Sequence, residues 1–73
     1  MNELITVNAD ICAGKPVIRG TRIMVKNILG MIAGGYTLDQ VIQACPELTR
    51  EMVDAAMQYA ATVIEEEKVL VHD

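Results

Sequence analysis

The sequence predicts a mainly helical domain, a three-helix bundle behind a short N-terminal β-hairpin. Three observations carry this. From Val25 onward, apolar residues recur at i, i+3, i+4 and i+7, the spacing of one helical face. Breakers and caps cut that pattern into three lengths, at Gly34-Gly35, Thr37, Pro46 and Thr49. Ahead of Val25 the chain reads instead as two short extended runs.

The first run is Leu4–Val7, β-prone and ended by Asn8-Ala9-Asp10. The second covers Pro16–Arg19, with a continuation to Ile23 left open; the two can pair as a hairpin across Asp10–Lys15. Helix one follows from Val25, Ile28, Leu29 and Ile32, and Gly34-Gly35 stops it where a positive φ is usually needed. Thr37 caps helix two and Gln40, three residues on, completes a capping box; Leu38, Val41, Ile42 and Cys45 form its apolar face until Pro46. Thr49 caps helix three, with Glu51 in its first turn, and the helix is expected to run to Glu66. It carries two apolar rows, Val53-Met57-Ala60-Ile64 and Met52-Ala56-Tyr59-Val63, while Val69-Leu70-Val71 reads as a short terminal strand. Helices two and three, joined at Pro46-Glu47-Leu48, suit a helix-turn-helix, and with helix one they make a homeodomain-like unit. Residues 1–73 form one domain without repeats or linkers.

At 73 residues and 52% hydrophobic composition, the chain holds much apolar surface for one small core, with Tyr36 and Tyr59 its only aromatics. Self-association as a homodimer is therefore expected. Cys12 and Cys45 stand alone without a CxxC pair, and the only histidine is His72, so neither a metal site nor a disulfide is favoured. No apolar run reaches the ~20 residues of a membrane span and no signal pattern opens the chain, so a cytoplasmic location without membrane contact is expected.

The net charge of −4 conceals an asymmetry. Residues 1–36 set Lys15, Arg19, Arg22 and Lys26 against Glu3 and Asp10, a balance of +2. Residues 37–73 set Arg50 and Lys68 against eight acids, a balance of −6. The two ends suit different partners, or each other.

Catalysis is not expected. Serine is absent, the histidine lies next to the chain end, and Glu65-Glu66-Glu67 reads as a solvated face. The lysine of Gly14-Lys15 lacks the flanking residues of a phosphate-binding loop: Ala9 stands for its first glycine and Pro16 for its Ser or Thr. No cofactor motif remains.

The stretch Gly14–Ile23 is the strongest candidate for function. Half of the six basic residues fall within it, around helix-breaking Pro16 and Gly20. Arg19 and Arg22 flank Gly20-Thr21 and, with Lys15 and Lys26, can clamp a carboxylate or phosphate; equally, they can pair with the chain's own acids. On helix three, Arg50 and Gln58 can read base edges, but Glu51 and Asp54 beside them repel phosphates. The anion or nucleic-acid candidates are thus Lys15, Arg19, Arg22, Lys26 and Arg50.

The order Asp10-Ile11-Cys12, Gly14-Lys15-Pro16-Val17-Ile18-Arg19-Gly20-Thr21-Arg22-Ile23, Val25, Gly35-Tyr36-Thr37 and Pro46-Glu47-Leu48-Thr49, with Met57–Ala61, resembles the domain of unknown function (DUF) 433 family over residues 3–66. The resemblance implies a fold similar to homeodomain-like or winged-helix DNA binders. Some members look like VapB-type antitoxins encoded beside a PIN-like ribonuclease toxin. It therefore implies a dimeric, non-catalytic antitoxin-like regulator that binds such a toxin, by folded surface or the Lys68–Asp73 tail, and operator DNA. The alternative is an interaction or dimerisation module without DNA binding.

Overall fold

A computed structural model describes residues 3–66. Strand β1 (Ile5–Thr6) and strand β2 (Val17–Ile18) pair antiparallel, Ile5 opposite Ile18 and Thr6 opposite Val17. Three helices follow: α1 (Val25–Ala33), α2 (Leu38–Ala44) and α3 (Arg50–Glu66). The expected terminal strand Val69–Val71 lies outside the described residues.

The strands are shorter than their β-prone runs because β2 does not continue to Ile23. The chain reverses at Arg19-Gly20, and Met24 returns alongside Val17 on the far edge of β2. Ile18 N–H donates to the Ile23 carbonyl at 2.9 Å and Val25 N–H to the Pro16 carbonyl at 3.0 Å. So β2 is flanked on both edges, and Val17 and Ile18 are both completely buried.

The helix ends form where the sequence places them, for local reasons. Gly35 takes a φ of +106° after α1; its N–H bonds the Ile32 carbonyl and that of Tyr36 the Met31 carbonyl, closing a Schellman motif. At α2 the Thr37 hydroxyl accepts from Gln40 N–H at 3.1 Å while the Gln40 side chain accepts from Thr37 N–H at 2.8 Å, the reciprocal capping box. The Thr49 hydroxyl accepts from Met52 N–H at 3.2 Å and caps α3.

The three helices pack on one another and β1 packs on α3. Their shared core is Ile5, Ile18, Val25, Ile28, Val41, Leu48, Val53, Ala55 and Ala56, with no aromatic among its fully buried members. The two apolar rows of α3 are buried unequally. The row containing Met52, Ala56 and Tyr59 packs on this core; of the other row Val53 belongs to it, whereas Met57 is 41% and Ile64 69% exposed. Ala55 and Ala56 are small enough to let neighbouring elements close onto their side of α3, and that choice turns the opposite side to solvent.

Two substitutions check this account. Thr37→Ala should cost about 1 kcal/mol in urea unfolding by removing the α2 cap. Ile28→Ala, at a fully buried site, should cost about 2–5 kcal/mol and leave little margin in a domain this small.

Candidate functional site

The Gly14–Ile23 stretch and the residues leading into it from Asn8 fold into two linked reversals. In the first, Asp10 N–H donates to the Asn8 side chain, Ile11 N–H to the Asn8 carbonyl and Gly14 N–H to the Ile11 carbonyl. Cys12, Ala13 and Gly14 follow at φ of +52°, +58° and +83°, a single left-handed turn. Such values are uncommon for residues with a Cβ and persist only where surroundings impose them. Here Lys15 N–H closes the turn on the Cys12 carbonyl, and the Cys12 thiol donates to the Arg22 carbonyl at 3.6 Å, tying the first reversal to the second. Both cysteines are free thiols.

The second reversal turns on Gly20 and Thr21. Gly20 has a φ of +81°, as the third position of a type II turn requires, and Thr21 N–H returns to the Ile18 carbonyl at 2.9 Å. The Thr21 hydroxyl donates to that same carbonyl at 2.8 Å and accepts from Ile23 N–H at 3.0 Å. One side chain thus satisfies backbone groups on both limbs.

Most of the stretch is thereby accounted for by the fold. Gly14 and Gly20 supply positive φ, Val17 and Ile18 fill the interior, Ile23 packs on the core, and Pro16 and Thr21 hold the reversal. The side chains of Lys15, Arg19 and Arg22 do none of this. All three residues are exposed, as is Lys26 in the first turn of α1. Arg50 differs, because its guanidinium reaches Asp39 at 3.1 Å, the one ion pair among the described residues. Of the five candidate cations, then, only Arg50 pairs with an acid of the described chain.

A wide, shallow groove of about 570 Å³ runs beside this turn, lined by Ile11, Gly20, Thr21, Arg22, Ile23 and Glu47. Glu47 comes from the α2–α3 connection and shares the groove lining with Arg22 without forming an ion pair to it. Its place at the site has no signal in local sequence, since only the packing of α2 and α3 brings it there. A second open groove, lined by Gly34, Gly35, Tyr36, Gln40, Gln43 and Ala44, carries no charged side chain. Among the described residues no three His, Cys, Asp or Glu side chains gather as a metal-binding group, and no helix is long and apolar enough to cross a membrane.

Fold and site together define a small helical domain that displays a basic turn built on a rigid backbone. Residues 5–60 match the family described as Protein of unknown function (DUF433), and the chain belongs to that family. It is 36% identical over 58 residues to "Uncharacterized protein y4eO" of Sinorhizobium fredii (strain NBRC 101917 / NGR234), a match spanning 80% of this chain and 26% of that protein. It is also similar to a DUF433 member protein from Anabaena variabilis ATCC 29413, whose crystal structure superposes with a TM-score of 0.80 at 28% identity. That likeness covers 86% of this chain and 62% of the other. The chain thus spans about a quarter of the curated relative and less than two thirds of the solved one.

The division of labour in the turn can be measured. Thr21→Val removes both hydroxyl hydrogen bonds and should cost about 1–3 kcal/mol. Arg19→Ala and Arg22→Ala should each stay within about 0.5 kcal/mol of wild type in the same urea titration.

Proposed function

We propose that the chain is a non-catalytic, dimeric regulator of the antitoxin kind, which grips a polyanion through its basic turn and neutralises a PIN-like ribonuclease by direct binding. The observation that carries the polyanion contact is the turn itself: its fold uses the backbone of the cationic residues but none of their side chains, and Lys15, Arg19, Arg22 and Lys26 have no acid partner among the described residues. A fixed backbone spares the cost of ordering the loop when a guanidinium meets a phosphate, and the planar fork loses less side-chain entropy per hydrogen bond than an ammonium does. The ribonuclease half is supported by the family resemblance and by the acids exposed on α3, Glu51, Asp54 and Glu65, which suit a basic nuclease surface.

On this reading α2 and α3, joined by a short connection, serve as a homeodomain-like helix-turn-helix, but charge makes α3 a poor reader of DNA. Arg50 is engaged by Asp39, and Glu51 and Asp54 follow it on the exposed side. In this reading the basic turn meets the nucleic-acid backbone and α3 is left for protein contact.

Gel shifts with the chain's own upstream DNA at low salt test the first half. Binding should fall steeply with salt, and Arg19→Ala plus Arg22→Ala should weaken it and lower the logarithmic salt slope by about 2. A flat titration at low salt removes the DNA role. Co-expression with an adjacent PIN-like reading frame tests the second half, with a stable complex and suppressed nuclease activity as the expected result.

A further inference from the structure

The exposed side of α3 carries a pattern that the basic turn does not use. Met57 and Ile64 are well exposed, Ala61 is exposed and Ala60 half-buried. At 3.6 residues per turn these four fall within about 100° of arc, with Met57 and Ile64 along its centre line. Their spacing reads the same in both directions: large, two small, large, symmetric about the Ala60–Ala61 peptide. A helix face that is symmetric under reversal complements itself in an antiparallel pair, as an isologous two-fold contact requires.

We infer that Met57, Ala60, Ala61 and Ile64 form the seam of a homodimer in which α3 packs antiparallel on α3 of a second copy. The two-fold axis passes between Ala60 and Ala61. Met57 of each copy then lies beside Ile64 of the other, and the facing alanines let the helices approach to about 8 Å. The seam itself buries no unpaired charge, since Arg50, on the same side two turns earlier, is already held by Asp39. The acids Glu51, Asp54 and Glu65 follow on one flank only, where they stay in solvent. A two-fold axis normal to the plane of the helix pair brings both acidic flanks to the same side, so they repel. Association should therefore tighten with salt, the reverse of an acid-to-base docking.

Four side chains per copy cover less than the ~800 Å² per partner of a standard interface, so a self-dissociation constant on the order of micromolar is expected. This inference rests on the reading above only for the dimeric state. The two fail separately, because gel shifts read the basic turn and sedimentation reads α3.

Sedimentation equilibrium of the full chain, from about 0.05 to 0.5 M NaCl, is the test. Wild type should dimerise more tightly as salt rises. Met57→Glu plus Ile64→Glu should weaken association at least ~10-fold with unchanged far-ultraviolet circular dichroism, because both sites are exposed and Glu favours helix. Ala61→Gln, equally compatible with the helix, should weaken it by blocking the close approach. Arg19→Ala plus Arg22→Ala should sediment as wild type. A wild-type monomer at millimolar concentration would overturn the inference. So would a dimer untouched by the α3 variants, one lost with the arginines, or one that weakens as salt rises.

Discussion

The fold depends on how β2 is held. Two residues make a poor strand alone, yet Val17 and Ile18 have β1 on one edge and the returning Ile23-Met24 segment on the other. That return is possible because Gly20 accepts a φ closed to most residues and the Thr21 hydroxyl bonds the backbone on both limbs. The same reversal delivers Val25 N–H to the Pro16 carbonyl, which sets where α1 begins, and seats Ile18 in the core with Ile28. In a domain whose stability is only a few kcal/mol, one side chain serving two backbone groups is a large share of the whole. The basic turn inherits this rigidity: Arg19 and Arg22 have fixed roots and unengaged tips.

What could be read from the sequence was what local chemistry decides. Thr37 with Gln40, Thr49, Gly34-Gly35 and Pro46 set helix ends within a few residues of themselves, and those ends stand as expected. The face of α3 was not legible in the same way. Two apolar rows share that helix, and periodicity reports that both exist without saying which one α1, α2 and β1 will cover. The left-handed turn at Cys12-Ala13 was equally hidden, since neither residue advertises a positive φ. The site divides along the same line. Its exposed cations were visible as a cluster in sequence, whereas the engagement of Arg50 by Asp39, eleven residues away, and the place of Glu47 in the groove that Arg22 lines are products of tertiary packing.

Net charge misleads about this molecule because it averages over distances that matter. At physiological ionic strength, exposed charges more than about 8 Å apart are largely screened from one another, so remote acids do little to cancel the four cations of residues 15–26. The acid that does count is Glu47, which lines the same groove as Arg22. It lowers the local positive potential and so favours a ligand that meets Arg19 and Lys15 first over a compact anion lodged in the groove. A phosphate backbone passing across the turn meets that condition better than a single small anion.

Four cations are too few for tight nucleic-acid binding by one copy, since affinity grows with each phosphate neutralised. A core without buried aromatics likewise leaves one copy only marginally stable. Pairing through α3, as inferred above, would address both shortfalls. It would cover the apolar side that the core did not recruit, and it would link two basic turns, so that a second turn within reach of the same polyanion would meet it at high effective concentration. It would also leave the acidic flanks of both copies side by side and open to solvent, a negative surface suited to a basic protein. In such an arrangement the opposite charges of the two halves of the chain address different partners, because α3 association uses neither.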